Sequence, residues 1–262
     1  MALITIAIPI YNEAPFLSET IESVLAQTFK DLEIVICDNC STDNSYLIAK
    51  EYEQKNKRIK VVRHAEGIEA SENFKFALKT AETKYFTWLG GHDILVDDYI
   101  ASSIEHLEKH PDAVLAYPRD AIFVDKNNQK IRDGACSNIE SRNNTSPVSR
   151  MAVVVSNLVC CTNIHGVFIT SVAKKLPFEK VIGPDNLQLA VTAIFGEIHA
   201  IPIQGIRRKE IRVETSDERR KRWAKLKVFG GRWGHLYFAT NFKQFLIVMK
   251  SKEISFFEKI KF

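Results

Sequence analysis

Two short apolar runs near the start of the chain are each followed by a cluster of polar residues. The first run covers residues 3–10 and the second residues 32–37. Between them, apolar residues recur at the three- and four-residue spacing of a helix. This pattern predicts two strands joined by a helix. Because open α/β sheets bind ligands at the carboxyl ends of their strands, it also predicts a ligand site at those polar clusters.

The same alternation of apolar strands and amphipathic helices continues to residue 117. Further strands are predicted at 59–62, 85–89 and 113–117, and helices at 43–54, 70–81 and 97–110. Strands that alternate with helices predict an α/β fold with a mostly parallel sheet flanked by helices. Beyond residue 117 the predicted segments are a hairpin at 121–125 and 129–132, a loop at 133–147, helices at 149–157 and 185–195, and strands at 166–169 and 198–202.

The length of 262 residues suffices for one large α/β domain followed by an extension. We expect a domain over residues 1–216, with halves at 1–117 and 118–216, and an extension at 217–262. The first residues are typical of a strand rather than a signal peptide, and no apolar run approaches the ~20 residues that cross a bilayer. Five cysteines without an export signal favour a cytoplasmic location.

The positive charge is confined to the end of the chain. The formal net charge is +4, but residues 219–262 contain twelve lysines and arginines and two glutamates, which leaves −6 on the remainder. This segment is also rich in aromatic residues and is predicted to be helical. Two interpretations stay open: it lies on an anionic membrane surface, or it packs on the domain or a second subunit. Nucleic acid is not an expected partner, because no recognised module accompanies the basic residues.

The first two strands end in side chains that suit a nucleoside. Tyr11 could stack on a base and Asn12 and Glu13 could hydrogen-bond to it, while Asp38 could accept a hydrogen bond from a ribose hydroxyl. A Rossmann phosphate loop is excluded, because the first turn contains no glycine. The alternatives are a tyrosine packed at the edge of the core and polar residues that cap the helices that follow.

The strand at 85–89 ends in Gly90-Gly91-His92-Asp93, a turn that could hold a cation. The glycines allow a ligand to approach the backbone, and His92 and Asp93 can both coordinate a divalent metal. An imidazole ligand favours Mn²⁺ over Mg²⁺, which prefers oxygen ligands. The alternative is a glycine turn with solvated polar side chains.

A further carboxylate, Asp185, stands at the start of a predicted helix and is either a general base or a helix cap. We expect His165, His199 and His235 to be packing or surface residues, because each is isolated in the sequence.

The order of these elements resembles that of the family 2 glycosyltransferases with the GT-A fold. The matching segments are Pro9-Ile10-Tyr11-Asn12, Asp38-Asn39-Cys40-Ser41-Thr42-Asp43, Glu66-Gly67 with Asn73, Gly90-Gly91-His92-Asp93, and Pro184-Asp185. The resemblance covers residues 3–210 and is strongest over residues 3–117. It implies transfer of a sugar, of the hexosyl or N-acetylhexosaminyl type, from a nucleotide sugar with inversion. It also implies a UDP-sugar donor and a glycan or lipid-linked acceptor, in surface polysaccharide synthesis at the inner face of the plasma membrane.

The resemblance also implies roles for individual residues. Asp185 would take the proton from the acceptor hydroxyl, His92 and Asp93 would hold the metal, and Arg207 or Arg208 would stabilise the departing diphosphate. The residues that would bind the nucleotide sugar are Pro9, Tyr11, Glu13, Asp38, Asn39, Asn73, Gly91, His92, Asp93, Arg207 and Arg208.

Three motifs depart from the family pattern, at four positions. Gly90 and His92 replace the aspartates of the family's D-x-D motif, and Pro184 replaces the glutamate that precedes the base; Glu72 stands where many relatives have an arginine. These departures leave a second hypothesis open, that of a non-catalytic protein that binds a nucleotide sugar or a glycan.

Overall fold

The computed structural model describes residues 2–158, 161–178 and 184–210. The predicted extension at 217–262 and His235 lie outside the described residues. The strands are β1 (Ile4–Ile10), β2 (Leu32–Asp38), β3 (Ile59–Arg63), β4 (Tyr85–Trp88), β5 (Ile94–Leu95), β6 (Ala113–Val124), β7 (Lys130–Ala135), β8 (Val167–Ile169) and β9 (Glu197–Lys209). The helices are α1 (Leu17–Leu25), α2 (Ser45–Lys55), α3 (Ala70–Lys79), α4 (Tyr99–Lys109), α5 (Pro147–Asn157), α6 (Thr170–Ala173) and α7 (Pro184–Phe195), with a 3₁₀ turn at Cys161–His165.

All nine described strands belong to one sheet. Its order is β3-β2-β1-β4-β8-β6-β9-β5, and β7 pairs with the outer part of β6. β1 is parallel to β2 and β4, β2 to β3, and β6 to β9, while β8 is antiparallel to both β4 and β6. Six strands therefore run in one direction, and β5, β7 and β8 run in the other. The predicted mostly parallel sheet flanked by helices is confirmed.

Burial explains why the first strands are mostly apolar. Every residue of β1 is buried, because helices cover both faces of a parallel sheet. α1 places Leu17, Ile21 and Val24 against this sheet together with the small polar residues Thr20 and Ser23, and its other polar residues are exposed. The regular β1–α1–β2 unit therefore fixes the carboxyl ends of two central strands side by side.

Two strands are longer than the sequence pattern predicts. β6 continues through Pro118, where the prediction ends one strand and begins a separate hairpin, and β9 continues to Lys209 through Pro202. The β6–β9 ladder changes register between Pro118 and Asp120, and Pro202 lies within the same irregularity. A proline lacks the N–H that a regular ladder needs, so both prolines are accommodated where the pairing is interrupted. β6 also crosses the expected boundary at residue 117.

The other differences from the prediction concern short elements. β5 has two residues and α6 has four, which is too short for a periodic signal in the sequence. The predicted loop at 133–147 begins with the last residues of β7 and ends where α5 starts at Pro147. Within the described residues, no helix combines the length and apolar character needed to span a membrane.

Candidate active site

The loops that follow β1 and β2 are joined by hydrogen bonds; we call residues 11–14 and 39–45 the paired loops. Asn12 has a left-handed backbone with φ of 56°, which asparagine tolerates better than most residues. The bonds run from Asn12 N–H to Ser41 Oγ (3.0 Å), Thr42 N–H to Asn12 Oδ1 (2.9 Å), Glu13 N–H to Ser45 Oγ (2.7 Å) and Ala14 N–H to Asp43 Oδ2 (3.1 Å). The paired loops therefore hold Tyr11 and Glu13 in fixed positions at the sheet edge.

The turn after β4, residues 90–93, is called the glycine turn below. A Cβ atom at Gly91 would lie 2.8 Å from Glu13 Cγ and 2.9 Å from Ile10 Cγ2, so only glycine fits against the end of β1. A Cβ atom at Gly90 would lie 2.9 Å from Asp93 Oδ2 and 3.7 Å from His92 Nε2. The two ligand atoms predicted from the sequence thus converge on the space that Gly90 leaves open.

His92 is held by Glu13 of the paired loops. Its Nδ1 lies 3.0 Å from Glu13 Oε1, and because a carboxylate accepts, Nδ1 carries the proton. Burial disfavours the charged imidazole, but the hydrogen bond to Glu13 and the charges of Asp93 and Glu13 outweigh it, so the pKa of His92 is raised. In the neutral ring, Nε2 is the nitrogen free to bind a ligand.

Asp93 is 1% exposed and lies beneath the glycine turn. Its Oδ1 accepts the backbone N–H of Lys209 at 3.0 Å. Its Oδ2 accepts no hydrogen bond from the described residues, although Arg208 Nε lies 3.6 Å away. A buried carboxylate oxygen without a donor carries a desolvation cost, which a bound cation would offset.

His165 is a neighbour of Asp93 that sequence reasoning missed. Its Nδ1 donates to the carbonyl of Trp88 at 3.0 Å, which leaves Nε2 3.8 Å from Asp93 Oδ2. Burial, together with the positive charge of Arg208, lowers the pKa of His165 to about 4, so the ring is neutral and Nε2 bears a lone pair. Because the two residues are 72 positions apart and one lies in a 3₁₀ turn, no spacing in the sequence connects them.

Arg208 is a cation that acts on both Asp93 and Asp185. Its guanidinium donates to Thr162 Oγ1 at 3.3 Å. Burial raises the pKa of Asp185 above its usual value, and the positive charge of Arg208 opposes this shift. Arg208 therefore lies close enough to act electrostatically on Asp185 and on Asp93.

One cleft of about 570 Å³ collects much of this chemistry. Of the predicted site residues, Tyr11, Glu13, His92 and Arg208 line it, and Tyr11 is 56% exposed. Asn12, a candidate hydrogen-bond partner of the base, also lines the cleft. Four lining residues were not predicted as site residues: Phe16, Phe123, Lys209 and Glu210. Lys209 is buried, and its Nζ pairs with Glu19 at 2.8 Å. Only its position next to Arg208 could have indicated it.

Other predicted residues lie beside or beneath the cleft rather than along it. Pro9 is buried in β1 opposite Cys37, and Asp38 is buried with Arg63 Nε 3.2 Å from Oδ2. The amide of Asn39 bonds both backbone groups of Ile68, and the amide of Asn73 bonds Cys37 and His64. Arg207 is exposed and does not line the cleft.

The residues of the glycine turn suit a divalent cation. Asp93 Oδ2 lacks a hydrogen-bond donor among the described residues, His92 Nε2 is unprotonated in the neutral ring, and Gly90 leaves space between them. His165 Nε2 is a third candidate donor atom. A set of one carboxylate and one or two imidazoles suits Mn²⁺ better than Mg²⁺.

Comparison with known proteins identifies the family. Residues 5–175 match the family model described as glycosyl transferase family 2. This chain belongs to glycosyl transferase family 2. The uncharacterized glycosyltransferase EpsJ of Bacillus subtilis is 34% identical over 103 residues, which are 39% of this chain and 28% of EpsJ. The glycosyltransferase GlyG of Streptococcus pneumoniae is 30% identical over 114 residues, 43% of this chain and 38% of GlyG. The matches thus span less than two fifths of either relative.

Solved structures show the fold. Staphylococcus aureus TarS superimposes with a TM-score of 0.67 at 14% identity, over 96% of this chain and 40% of TarS. The mannosyltransferase PcManGT of Pyrobaculum calidifontis, solved with GDP-Man and Mn²⁺, gives a TM-score of 0.58 at 14% identity, over 97% of this chain and 66% of PcManGT. The family 2 membership and the GT-A fold expected from the sequence are both confirmed.

Proposed function

We propose that this family 2 member is an inverting glycosyltransferase. It moves a hexosyl or N-acetylhexosaminyl group from a nucleotide sugar, with a UDP-sugar as the first candidate, to a hydroxyl of a glycan or lipid-linked acceptor in surface polysaccharide synthesis. The observation that carries the proposal is the convergence of Tyr11, Glu13, His92 and Arg208 on one cleft, with Asp185 within the electrostatic reach of Arg208. TarS has also been solved with UDP-GlcNAc, which supports the choice of donor.

The donor would occupy the cleft with its nucleoside near the paired loops. Tyr11 is exposed and would stack on the base, and Glu13 would accept a hydrogen bond from it. Asp38, Asn39 and Asn73 would shape the floor of this region through the hydrogen bonds that they already make. Gly91 keeps the ends of β1 and β4 close enough for one ligand to contact both, and Pro9 is buried within β1.

The diphosphate would lie near Arg208 and the glycine turn. The Arg208 guanidinium would neutralise charge that develops on the leaving phosphate, and the exposed Arg207 would add to the positive field at the entrance. His92 Nε2 and Asp93 Oδ2 would hold a divalent cation, with Mn²⁺ favoured, and such an ion would supply further charge to the leaving group.

The transfer itself would be a single displacement with Asp185 as the base. The acceptor oxygen forms a bond to the anomeric carbon while the bond from that carbon to the phosphate oxygen breaks. The bonding electrons leave with the nucleoside diphosphate, and the acceptor proton passes to the Asp185 carboxylate. A raised pKa makes Asp185 a better proton acceptor than an ordinary aspartate, and a positioned base contributes about 10²–10⁴-fold.

The experiment combines donor binding with turnover. Thermal shifts of the full chain are measured with UDP-, GDP- and dTDP-sugars, with Mn²⁺ or with EDTA, and release of free nucleotide is followed with water as the acceptor. We expect stabilisation by one nucleotide class and slow release of that nucleotide. Asp185→Asn should preserve the thermal shift and reduce release about 10²–10⁴-fold. The exposed Asp133→Asn is the control, and near-normal release in Asp185→Asn would remove Asp185 from its role.

A second candidate function is a non-catalytic protein that binds nucleotide sugars or glycans. The observation that favours it is the replacement of two family aspartates by Gly90 and His92. It predicts the same thermal shift with no nucleotide release at any metal concentration.

We also propose that residues 219–262 contact an anionic membrane surface, on the basis of their charge and aromatic content. Flotation of the full chain with anionic and neutral vesicles tests this, with a chain truncated after residue 218 as the comparison. Equal recovery of both chains with the vesicles would contradict membrane binding and leave the other interpretation, that the segment packs on the domain or on a second subunit. Adding RNA or DNA to the same assay tests the expectation that the chain does not bind nucleic acid.

A further inference from the structure

Three histidines meet at the end of the sheet opposite the cleft. His106 and His110 are one helical turn apart at the end of α4, and His199 lies near the start of β9; we call them the histidine cluster. One nitrogen from each ring lies within 4.8 Å of the other two. β9 continues from His199 to Arg208, so about 30 Å of strand separates the cluster from the cleft.

We propose that the histidine cluster is a second metal site, distinct from the glycine turn, which takes Zn²⁺ or a similar borderline transition metal. Imidazole nitrogens suit such ions, and three histidines with an open fourth position form a known type of zinc site. Zn–N bonds of about 2.0–2.1 Å place neighbouring nitrogens about 3.4 Å apart, so small ring rotations would close the cluster around an ion.

The hydrogen bonds around the cluster match those of metal-binding histidines. His199 Nε2 donates to Glu197 Oε2 at 2.7 Å, and His110 Nδ1 donates to the carbonyl of His106 at 2.8 Å. Histidines that bind metals almost always donate their other N–H to a carboxylate or a backbone carbonyl, which fixes the ring and its tautomer. Two of the three rings therefore already present a lone pair to the shared space.

The third ring needs only a change of tautomer. His106 Nε2 lies 2.9 Å from His199 Nδ1 and donates to it, because His199 Nδ1 has no proton when Nε2 bonds Glu197. Moving that proton to Nδ1 of His106 would free Nε2 without a change in net charge. The rings of His106 and His110 are stacked, with centroids 4.1 Å apart, and the ring of His199 meets both edge-on at centroid distances of 5.1 and 5.3 Å.

The surrounding charges permit a cation. Glu197 supplies a carboxylate, and Arg142, whose charge acts on His106, is itself paired with Glu140 at 3.0 Å. The charge of Lys109 also acts on His106, and Lys109 pairs with Glu105; the charge of Arg150 acts on Glu197. A metal here would join α4 of the first half of the chain to β9 of the second half, at the edge that the donor does not use.

The test is a titration of chelator-treated full chain with Zn²⁺, followed by calorimetry and by the melting temperature, and repeated with Co²⁺ to record visible absorption. We expect the histidine cluster to bind one equivalent of metal. This equivalent should be retained in His92→Ala, a variant that removes the imidazole of the glycine turn. His110→Asn, a half-buried position, should lose that equivalent and its Co²⁺ spectrum. Glu197→Gln should weaken affinity about 10–100-fold.

The control is Glu108→Gln, an exposed carboxylate on the same helix that pairs with Lys84 rather than with Lys109, and this variant should bind the metal as the unaltered chain does. An unchanged stoichiometry and affinity in His110→Asn, or a melting temperature that Zn²⁺ does not raise in the unaltered chain, would overturn the proposal. Because the readouts are metal binding and stability, the outcome is independent of whether the chain transfers sugars.

Discussion

The paired loops and the glycine turn lie at the same edge of the sheet but use their polar groups in opposite ways. In the paired loops, side-chain oxygens accept the backbone N–H groups of the opposing segment, as Ser45 and Asp43 do. In the glycine turn, Asp93 Oδ2 and His92 Nε2 accept no hydrogen bond from the described residues. Polar groups with hydrogen-bond partners stabilise the conformation of the loops. Buried polar groups without a partner carry a desolvation cost that a bound ligand can offset.

The largest expected effect follows removal of the positive charge of Arg208, next to the glycine turn. Arg208→Gln should reduce nucleotide release about 10²–10³-fold, because charge on the leaving phosphate is no longer neutralised. Arg208 also opposes the upward shift in the pKa of Asp185, so the acidic limb of the pH–rate profile should move to higher pH. Nucleotide release across pH measures both.

The neighbouring Arg207→Gln is the matched control, since Arg207 is exposed and does not line the cleft. It should keep the rate within a few-fold and leave the position of the acidic limb unchanged. Equal losses in both variants would show that the general positive field matters and that the placement of Arg208 does not.

The second effect concerns Asp93, whose Oδ2 lacks a hydrogen-bond donor among the described residues. Asp93→Asn retains an oxygen that can accept the Lys209 N–H, but the side chain is a poorer ligand for a cation. We expect the Mn²⁺-dependent part of the nucleotide thermal shift to be lost and Mn²⁺ affinity to fall at least about tenfold. Asp98→Asn, an exposed neighbour at the start of α4, is the control, and a shift that persists in Asp93→Asn would assign the metal to other residues.

The third effect is on stability alone. Ser45→Ala removes the acceptor of the Glu13 N–H and a donor to Asp43 Oδ1, so the free energy of unfolding should fall by about 1–2 kcal/mol. Chemical denaturation measures this loss, with Ser102→Ala on α4 as the control. A loss of nucleotide binding without a loss of stability would contradict this, because it would give Ser45 a role in binding rather than in stability.

The smallest effect is a pH dependence within the paired loops. Burial alone would raise the pKa of Asp43. The hydrogen bonds from Ser45 and Ala14 lower it by more than burial raises it, so the pKa is below its usual value. A depressed pKa contributes stability above the unfolded-state value near ~4, and this contribution is lost as the pH falls through the folded-state pKa. The stability difference between the unaltered chain and Asp43→Asn should therefore shrink between pH 6 and pH 3. If the difference does not change with pH, the titration of Asp43 does not contribute to the pH dependence of stability.

The regular half of the fold, and the meeting of the polar residues at its strand ends, could be predicted from the sequence. β1, α1 and β2 follow from periodicity because local patterns determine them, and the polar strand ends then meet by the geometry of parallel strands. The continuation of β6 and β9 past Pro118 and Pro202 could not be predicted, since a bulge that tolerates proline forms only when both strands pair. The contacts of Asp93 with His165 and Lys209 join residues 72 and 116 positions apart, and nothing in the sequence links them.

The hydrogen bond from Lys209 to Asp93 comes from the main chain, and this has an evolutionary consequence. Any residue other than proline at position 209 can donate the same bond, so substitutions there would leave the orientation of the carboxylate intact. Selection for different ligands could then vary the side chain of residue 209, which lines the cleft, without losing the geometry of the proposed cation site.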